Sequence, residues 1–280
     1  MTASDDFKAG ISYYGNRIPE HFTQRDLPDI VAHGCTYIVH TFSENDLQYY
    51  KASLQEIILE THKAGLEVYL DPWGVGGVFG GEEYSNYLLQ NTETWQMRPD
   101  GSAAPMACLN APEFREFIYS WIDAASELNA DVIFWDEPHL YIGTGSETKT
   151  DDWTCCCTIC RKLFGDKYNI QMPSELTGQV HEFREDTIVR FLSDMCSYAK
   201  TKGLRNAICL APFDDEWHGI AHWDKVACIA NLDILGVTPF WQFYHENQVP
   251  FFERFVDKVI TLSQTYGLEA QVWLQAFLVP

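Results

Sequence analysis

The chain has 280 residues and a mass of 32.1 kDa, the length of one large α/β domain, and a chain of that size buries roughly 75% of its unfolded surface without disulfide staples. Hydrophobic residues make up 46% and charged residues 21%, which excludes intrinsic disorder as the main state. With 19 Lys and Arg against 40 Asp and Glu the formal charge is −21, which repels phosphate backbones and anionic lipid and so excludes nucleic acid and membrane surfaces as partners.

In chain order, short apolar runs alternate with amphipathic helices. The runs are 11–14, 37–42, 68–73, 132–135, 207–213, 234–238 and 272–277. They are rich in β-branched and aromatic residues without strict alternation, the pattern of parallel strands buried on both faces. Between them, apolar residues step by three and four: Leu54, Ile57 and Ile58; Phe114, Phe117, Ile118 and Trp121; Ile188, Phe191, Leu192 and Met195; Phe252, Phe255, Val256 and Val259. Each set gives a helix an apolar face. Asn110 stands as a helix cap, with Glu113 three residues on.

Gly65-Leu66, Gly203-Leu204 and Gly267-Leu268 each end a helix and lead into a strand. The short connections there and the long ones at 74–109, 139–175 and 214–223 put the long loops on one face. That asymmetry predicts an α/β fold of the (β/α)₈ TIM-barrel type, one domain over 1–280 with a Cys-rich insertion at about 140–175. Seven strands are evident, so the barrel is expected to be distorted or to lack a clear eighth. A doubly wound sheet would need a Gly-rich phosphate turn after its first strand, and Tyr13-Tyr14-Gly15-Asn16 is not one.

In such a barrel the residues just after each strand line the site. Asp136 follows the apolar run 132–135 and precedes Glu137-Pro138, and Asp71 ends the run before it. A charge placed there is costly to bury without a partner or a use. Asp136, Glu137 and Asp71 are therefore the candidate catalytic carboxyls, since paired carboxyls divide acid and nucleophile or base roles. Neighbouring strand residues point opposite ways, so Asp136 and Glu137 share a site only if the chain is already turning. Trp73, Trp135, Trp217 and Trp241 are candidate stacking walls, and His40, His139, Asp214 and Gln275 candidate hydroxyl contacts. Several have a plainer alternative: a cap or brace of the loop after the fourth strand for Asp136 and Glu137, a hydrogen-bonded core histidine for His40 and His139, a solvated acidic turn for 214–216. The glycine run 74–81 lacks the Lys-Ser/Thr of a phosphate cradle and reads as a mobile or close-packed loop.

Nine Cys is an odd count, and Cys35, Cys196, Cys209 and Cys228 stand alone like reduced core residues. Cys155, Cys157 and Cys160 form Cys-x-Cys-x₂-Cys, a spacing that holds one face of a tetrahedral zinc. A fourth ligand comes from elsewhere, Cys108 or a nearby His. A zinc there would pin the loop rather than do chemistry; the alternative is a free, redox-sensitive loop. No organic cofactor is indicated. The opening Met1-Thr-Ala-Ser has no apolar leader and no run is long enough to span a membrane, so a cytoplasmic location is expected.

Three pieces in order resemble a group of TIM-barrel glycoside hydrolases. They are Cys108-Leu-Asn-Ala-Pro-Glu-Phe-Arg115, then Phe134-Trp-Asp136-Glu-Pro138, then the cysteine loop running into Arg161-Lys-Leu-Phe164 and Tyr168. The resemblance implies glycosidic-bond cleavage. In the similar α-galactosidase group the Asp after the fourth strand is the nucleophile, a role that would fall on Asp136. That group's acid/base Asp after the sixth strand has no match in Gly236-Val-Thr238-Pro-Phe-Trp241. The larger clan's Glu after the fourth strand matches Glu137, and its Glu after the seventh has no match in Trp273-Leu-Gln275. The expected function is a glycoside hydrolase acting on a small carbohydrate through two carboxyls at the C-terminal face. The alternatives are a catalytically inactive carbohydrate-binding barrel and a metal-assisted sugar lyase or isomerase.

Overall fold

The computed structural model describes residues 7–14, 17–81, 83–141, 152–214 and 218–277. Its strands in chain order are β1 (Gly10–Tyr13), β2 (Tyr37–Thr41), β3 (Glu67–Asp71), β4 (Trp95–Met97), β5 (Ala103–Ala107), β6 (Val132–Asp136), β7 (Arg205–Leu210), β8 (Ile234–Val237) and β9 (Glu269–Val272). Seven of them pair in parallel and in chain order, β1-β2-β3-β6-β7-β8-β9, while β4 and β5 form a separate antiparallel hairpin.

The seven-stranded sheet curls. Gln271 on β9 donates its amide to the Tyr37 hydroxyl on β2 at 3.1 Å, five strand steps away. A flat sheet would hold those strands about 24 Å apart, at ~4.8 Å per step. The fold is therefore a TIM-type barrel of seven strands, and among the described residues no ladder joins β9 to β1.

Strand alternation sorts the side chains into two cores. Tyr37, Val39, Tyr69, Phe134, Ala207 and Cys209 pack together inside the curl. Leu70, Ile133, Trp135, Ile208, Leu235 and Val237 face outward into a larger core shared with the helices. Helices Lys51–Lys63, Pro112–Glu127, Gly178–Thr201 and Gln248–Tyr266 cover that outer face with the apolar stripes legible in the sequence. With both strand faces buried, the sequence shows continuous apolar runs rather than alternation. The three Gly-Leu junctions end their helices as expected, with φ of 80° at Gly65, 83° at Gly203 and 71° at Gly267.

Two expectations are corrected. The last strand is Glu269–Val272 rather than 272–277. It begins directly after the Gly267 turn, where the Glu269 amide bonds Asp233 O at 3.0 Å. It is an edge strand whose first two residues, Glu269 and Ala270, are exposed, so it carries no apolar signature. Asn110 does not cap its helix: Ala111 occupies the cap position, and the Asn110 amide donates to Cys160 Sγ at 3.3 Å.

Asn206 ties the outer layer together. It is fully buried on β7, accepts from Trp135 Nε1 at 3.1 Å, and donates to Cys196 O at 3.1 Å and Asn231 O at 3.0 Å. Asn206→Leu keeps the branched heavy-atom shape and strands two buried partners, Trp135 Nε1 and Cys196 O, at about 1–3 kcal/mol for each buried group left unpaired. A loss of roughly 2–4 kcal/mol is expected from denaturant unfolding, with the slope unchanged. A loss below about 0.5 kcal/mol would contradict this assignment.

Candidate functional site

The same alternation that turns Tyr69 and Phe134 inward brings Asp71 and Asp136, two residues on, to the inner face at the C-terminal ends of β3 and β6. Both are buried, with 2% and 9% of their surface exposed. Asp136 is level with Cys209 on the neighbouring strand. Glu137 should point the opposite way, but the chain turns at this residue. Its φ is +37°, unusual for a residue with a side chain. Its amide bonds Cys209 O at 2.8 Å, and the Thr238 hydroxyl at the end of β8 donates to its Oε1. Both adjacent carboxyls thus serve one site.

The glycine run forms a close-packed cover over it. Gly74 N bonds Gly80 O at 2.8 Å, Gly80 N bonds Asp136 O at 3.0 Å, and His139 N bonds Val78 O at 3.1 Å. A methyl group at Gly80 would come within 2.3 Å of Asp136 Oδ2, so only glycine lets this loop lie on the carboxyl.

Burial and like charge push protons onto the cluster. Asp71 is held well above the usual carboxylate range, first by burial and then by the neighbouring Asp136 and Glu137. Its Oδ1 is buried without a hydrogen-bond partner, as suits a carboxyl that is not ionised. Burial also raises Glu137, against the opposing pull of the Thr238 hydroxyl and of His218. The Cys209 thiol is raised by burial and by all three carboxyls. Burial lowers His139, keeping its ring neutral.

Beside the carboxyls opens a cleft of about 300 Å³ lined by Glu137, His139, Phe213, His218, Trp223 and Tyr244, among others. His218 and Phe213 stack with centroids 3.9 Å apart and planes within 4°, and Tyr244 meets Phe213 edge-on at 5.0 Å. The described residues lining the cleft include no Lys or Arg.

Of the sequence candidates, Asp71, Asp136 and Glu137 converge, and His139 lines the cleft. Trp73 lies at the edge of the glycine cover, half-buried against Tyr14. Trp135 and His40 face outward from the wall, a correction to their place in the mouth. Trp135 is fully buried beside Trp121 and Phe79, and His40 bonds Thr61 Oγ1 at 3.1 Å. Asp214 pairs with Arg254 at 2.6 Å and Lys258 at 3.5 Å on helix Gln248–Tyr266 and does not line the cleft. Trp241 packs edge-on against Phe252 on that helix, and Gln275 accepts from the Phe243 amide at 3.3 Å; neither lines the cleft. Trp217 lies outside the described residues. Thr238, Cys209, His218 and Tyr244 were not among the candidate site residues: Cys209 read as a core cysteine, and Thr238 stood where a barrel glycosidase would carry its second carboxylate. The first two stand at strand ends where alternation points to the interior; Tyr244 sits in a loop with no such signal.

A second cluster stands apart. Sγ atoms of Cys108, Cys155, Cys157 and Cys160 all lie within 4.8 Å of one another, with Cys108 3.6 Å from Cys157 and 3.5 Å from Cys160. Four sulfurs about 2.3 Å from a tetrahedral zinc stand about 3.8 Å apart, so the donor set and spacing suit that ion. Cys108 is the fourth member, carried in by the end of the β4–β5 hairpin. Cys156 is outside the set; its amide bonds Met97 O at 2.7 Å and burial pushes its thiol up to about 12.

No protein-family model and no curated protein matches the chain. Solved structures share its fold at low identity. An endo-1,4-β-mannanase from Rhizomucor miehei aligns with TM-score 0.61 and 10% identity over 98% of this chain and 88% of its own. A chitobiase from Flavobacterium johnsoniae aligns at 0.56 and 12% over 95% of this chain and 37% of its own. An exo-β-N-acetylglucosaminidase from Vibrio harveyi aligns at 0.54 and 9% over 95% and 40%. The chain thus spans about two fifths of the last two. The likeness is one of fold, the TIM barrel. Among the described residues no helix is long and apolar enough to cross a membrane.

The raised Asp71 carboxyl makes stability depend on pH. The native state holds this proton more tightly than the unfolded chain, so the group's contribution is complete below the unfolded value near ~3.9 and is lost as pH rises through the native one. Asp71→Asn removes that loss. Its melting temperature should match wild type at about pH 3 and exceed it increasingly toward neutrality. A gain independent of pH, or a deficit at neutral pH, would contradict the assignment.

Proposed function

We propose that the chain is a glycoside hydrolase whose carboxyl groups at the barrel mouth cleave a glycosidic bond. The observation that carries this reading is the pair Asp136 and Glu137, consecutive in sequence yet turned to one site, with Glu137 lining the cleft and raised by burial. Two carboxyls with separated environments divide the work of acid and nucleophile or base. Glu137 is the acid. The Thr238 hydroxyl donates to Oε1, which leaves Oε2 to carry the proton delivered to the leaving oxygen. Asp136 acts as nucleophile or base at the anomeric carbon, the role the resemblance implies. Asp71, buried beneath them, keeps its own proton and limits the negative charge around the pair.

The cleft also narrows the substrate class. Its described lining is aromatic and acidic and lacks Lys and Arg, which suits the apolar face of an uncharged sugar and disfavours phosphorylated or carboxylated ones. A small neutral glycoside is the proposed partner.

We further propose zinc for the cysteine cluster, held by Cys108, Cys155, Cys157 and Cys160. Four thiolates fill a tetrahedral shell and leave no open position, so the ion is structural. Free cysteines throughout the described chain suit a reducing compartment such as the cytoplasm.

A panel of neutral aryl and alkyl glycosides tests the enzymatic reading. Glu137→Gln should lower turnover by about 10²–10⁴-fold on alkyl glycosides, whose leaving groups need the proton, and far less on activated aryl glycosides. Asp136→Asn should abolish both at a melting temperature near wild type. Equal losses on the two substrate types in Glu137→Gln, or full activity in Asp136→Asn, would overturn these roles. Elemental analysis of protein purified without chelator should find about one zinc per chain, and far less in Cys108→Ser. Zinc well below one per wild-type chain would defeat the metal reading.

A further inference from the structure

Between the cysteine cluster and the cleft lies a buried amide that belongs to neither. Gln96, on β4, has no exposed surface. Its Nε2 donates to Ala107 O at 2.9 Å, and its Oε1 accepts from the Tyr141 amide at 3.1 Å and from the Thr154 hydroxyl. Ala107 immediately precedes Cys108, and Thr154 immediately precedes Cys155. Tyr141 ends the segment that begins at Glu137.

One side chain therefore grips the residue before each of two cluster cysteines and the far end of the segment whose first three residues, Glu137 to His139, line the cleft. The flanking contacts reinforce this geometry. Cys108 N bonds Thr94 O at 2.8 Å and Cys156 N bonds Met97 O at 2.7 Å, so the cluster is laced along the strand that carries Gln96. Arg184, itself buried, donates from Nε to Thr154 O at 2.7 Å. At the other end, segment 137–141 is held by Glu137 N on Cys209 O at 2.8 Å and His139 N on Val78 O at 3.1 Å. Tyr141 N on Gln96 is the third anchor, and it is the one that faces the cysteines. A buried amide shared among three chain segments fixes their relative places, because moving any one strands a polar group in the core.

We infer that Gln96 is a positioning residue that couples the cysteine site to the segment leaving the cleft, so that metal occupancy sets how firmly the Tyr141 end of 137–141 is held. The inference rests on the metal reading of the cluster. With the ion bound, Cys108 and Cys155 are fixed relative to each other, and Gln96 is clamped between the residues that precede them. Without it only weak thiol contacts, 3.5 and 3.6 Å from Cys108 to Cys160 and Cys157, join the sulfurs. The clamp loosens, and the Tyr141 amide loses a fixed acceptor.

Hydrogen exchange on the full chain tests this, with metal content followed by elemental analysis. In wild type, removing zinc by dialysis against chelator should speed exchange in 137–141 by about tenfold or more, while β7 and β8 keep their protection. Gln96→Met keeps the volume and removes the bonds. It should retain its zinc, exchange rapidly in 137–141 from the start, and gain little more when stripped. That loss of metal dependence is what a merely destabilising substitution would not produce. If zinc-bound wild type is stripped and 137–141 stays protected, the coupling is wrong and the metal reading survives. Full metal dependence in Gln96→Met would likewise overturn the role of Gln96. A wild-type protein that holds no zinc would defeat the metal reading, and the coupling with it. Should Gln96→Met fail to fold, the wild-type comparison with and without zinc decides the coupling.

Discussion

Three carboxyl groups drawn together out of water cannot all be ionised, and the mouth of this barrel is organised around that constraint. Like charges at close quarters in a poorly solvated site repel strongly, and each buried charge also loses its hydration. The structure answers at three depths. Asp71, the deepest, has a buried oxygen with no hydrogen-bond partner and is pushed toward its neutral form. Asp136 lies under the glycine cover, its backbone carbonyl fixed by Gly80. Glu137 reaches the cleft, where the Thr238 hydroxyl supports one oxygen and His218 offsets part of the effect of burial. Burial thus favours the protonated form at Asp71 and Glu137, and the opposing pull of Thr238 and His218 is confined to Glu137.

The scaffold around the carboxyls is rigid where they need it. Strand ladders fix Asp71 and Asp136, and backbone bonds from Cys209 and Val78 fix the turn that follows. Gly80 contributes through the absence of a side chain, which lets backbone lie directly against a carboxyl. The aromatic wall is built differently, from the loops after β7 and β8. There the Phe213 and His218 stack and the edge of Tyr244 supply flat apolar surface. An acidic chain whose cleft has no Lys or Arg among its described lining residues is poorly suited to anionic sugars, and this separates the proposed substrate from phosphorylated ones.

Much of this was legible in the sequence because parallel strands buried on both faces leave apolar runs that few other structures produce. Six of the seven barrel strands stand where those runs predict. The seventh was displaced because β9 is a half-exposed edge, and Glu269-Ala270-Gln271 has no apolar pattern to read. Asp71 and Asp136 were legible for the same reason as the strands, since a charge that ends an apolar run has few places to go. The same alternation, carried one residue back, turns Trp135 outward, and from Tyr37 and Val39 it turns His40 outward as well. Glu137 escaped a strand rule because its inward turn depends on a left-handed backbone held by β7 and β8. Cys108 as a member of the cysteine cluster, and Gln96 as the link beside it, depend on where the β4–β5 hairpin folds. No local pattern reports that placement.

The central claim is that burial and like charge hold the Asp71 carboxyl well above the usual carboxylate range, so that it keeps its proton where an exposed carboxyl is ionised. Infrared difference spectroscopy of wild type against Asp71→Asn reads this directly, because a protonated carboxyl and a carboxylate have distinct carbonyl bands. The account predicts that the wild-type spectrum at neutral pH contains a protonated-carboxyl band, shifted in heavy water, that disappears in Asp71→Asn. A difference spectrum showing only an ionised carboxylate lost on substitution would contradict it.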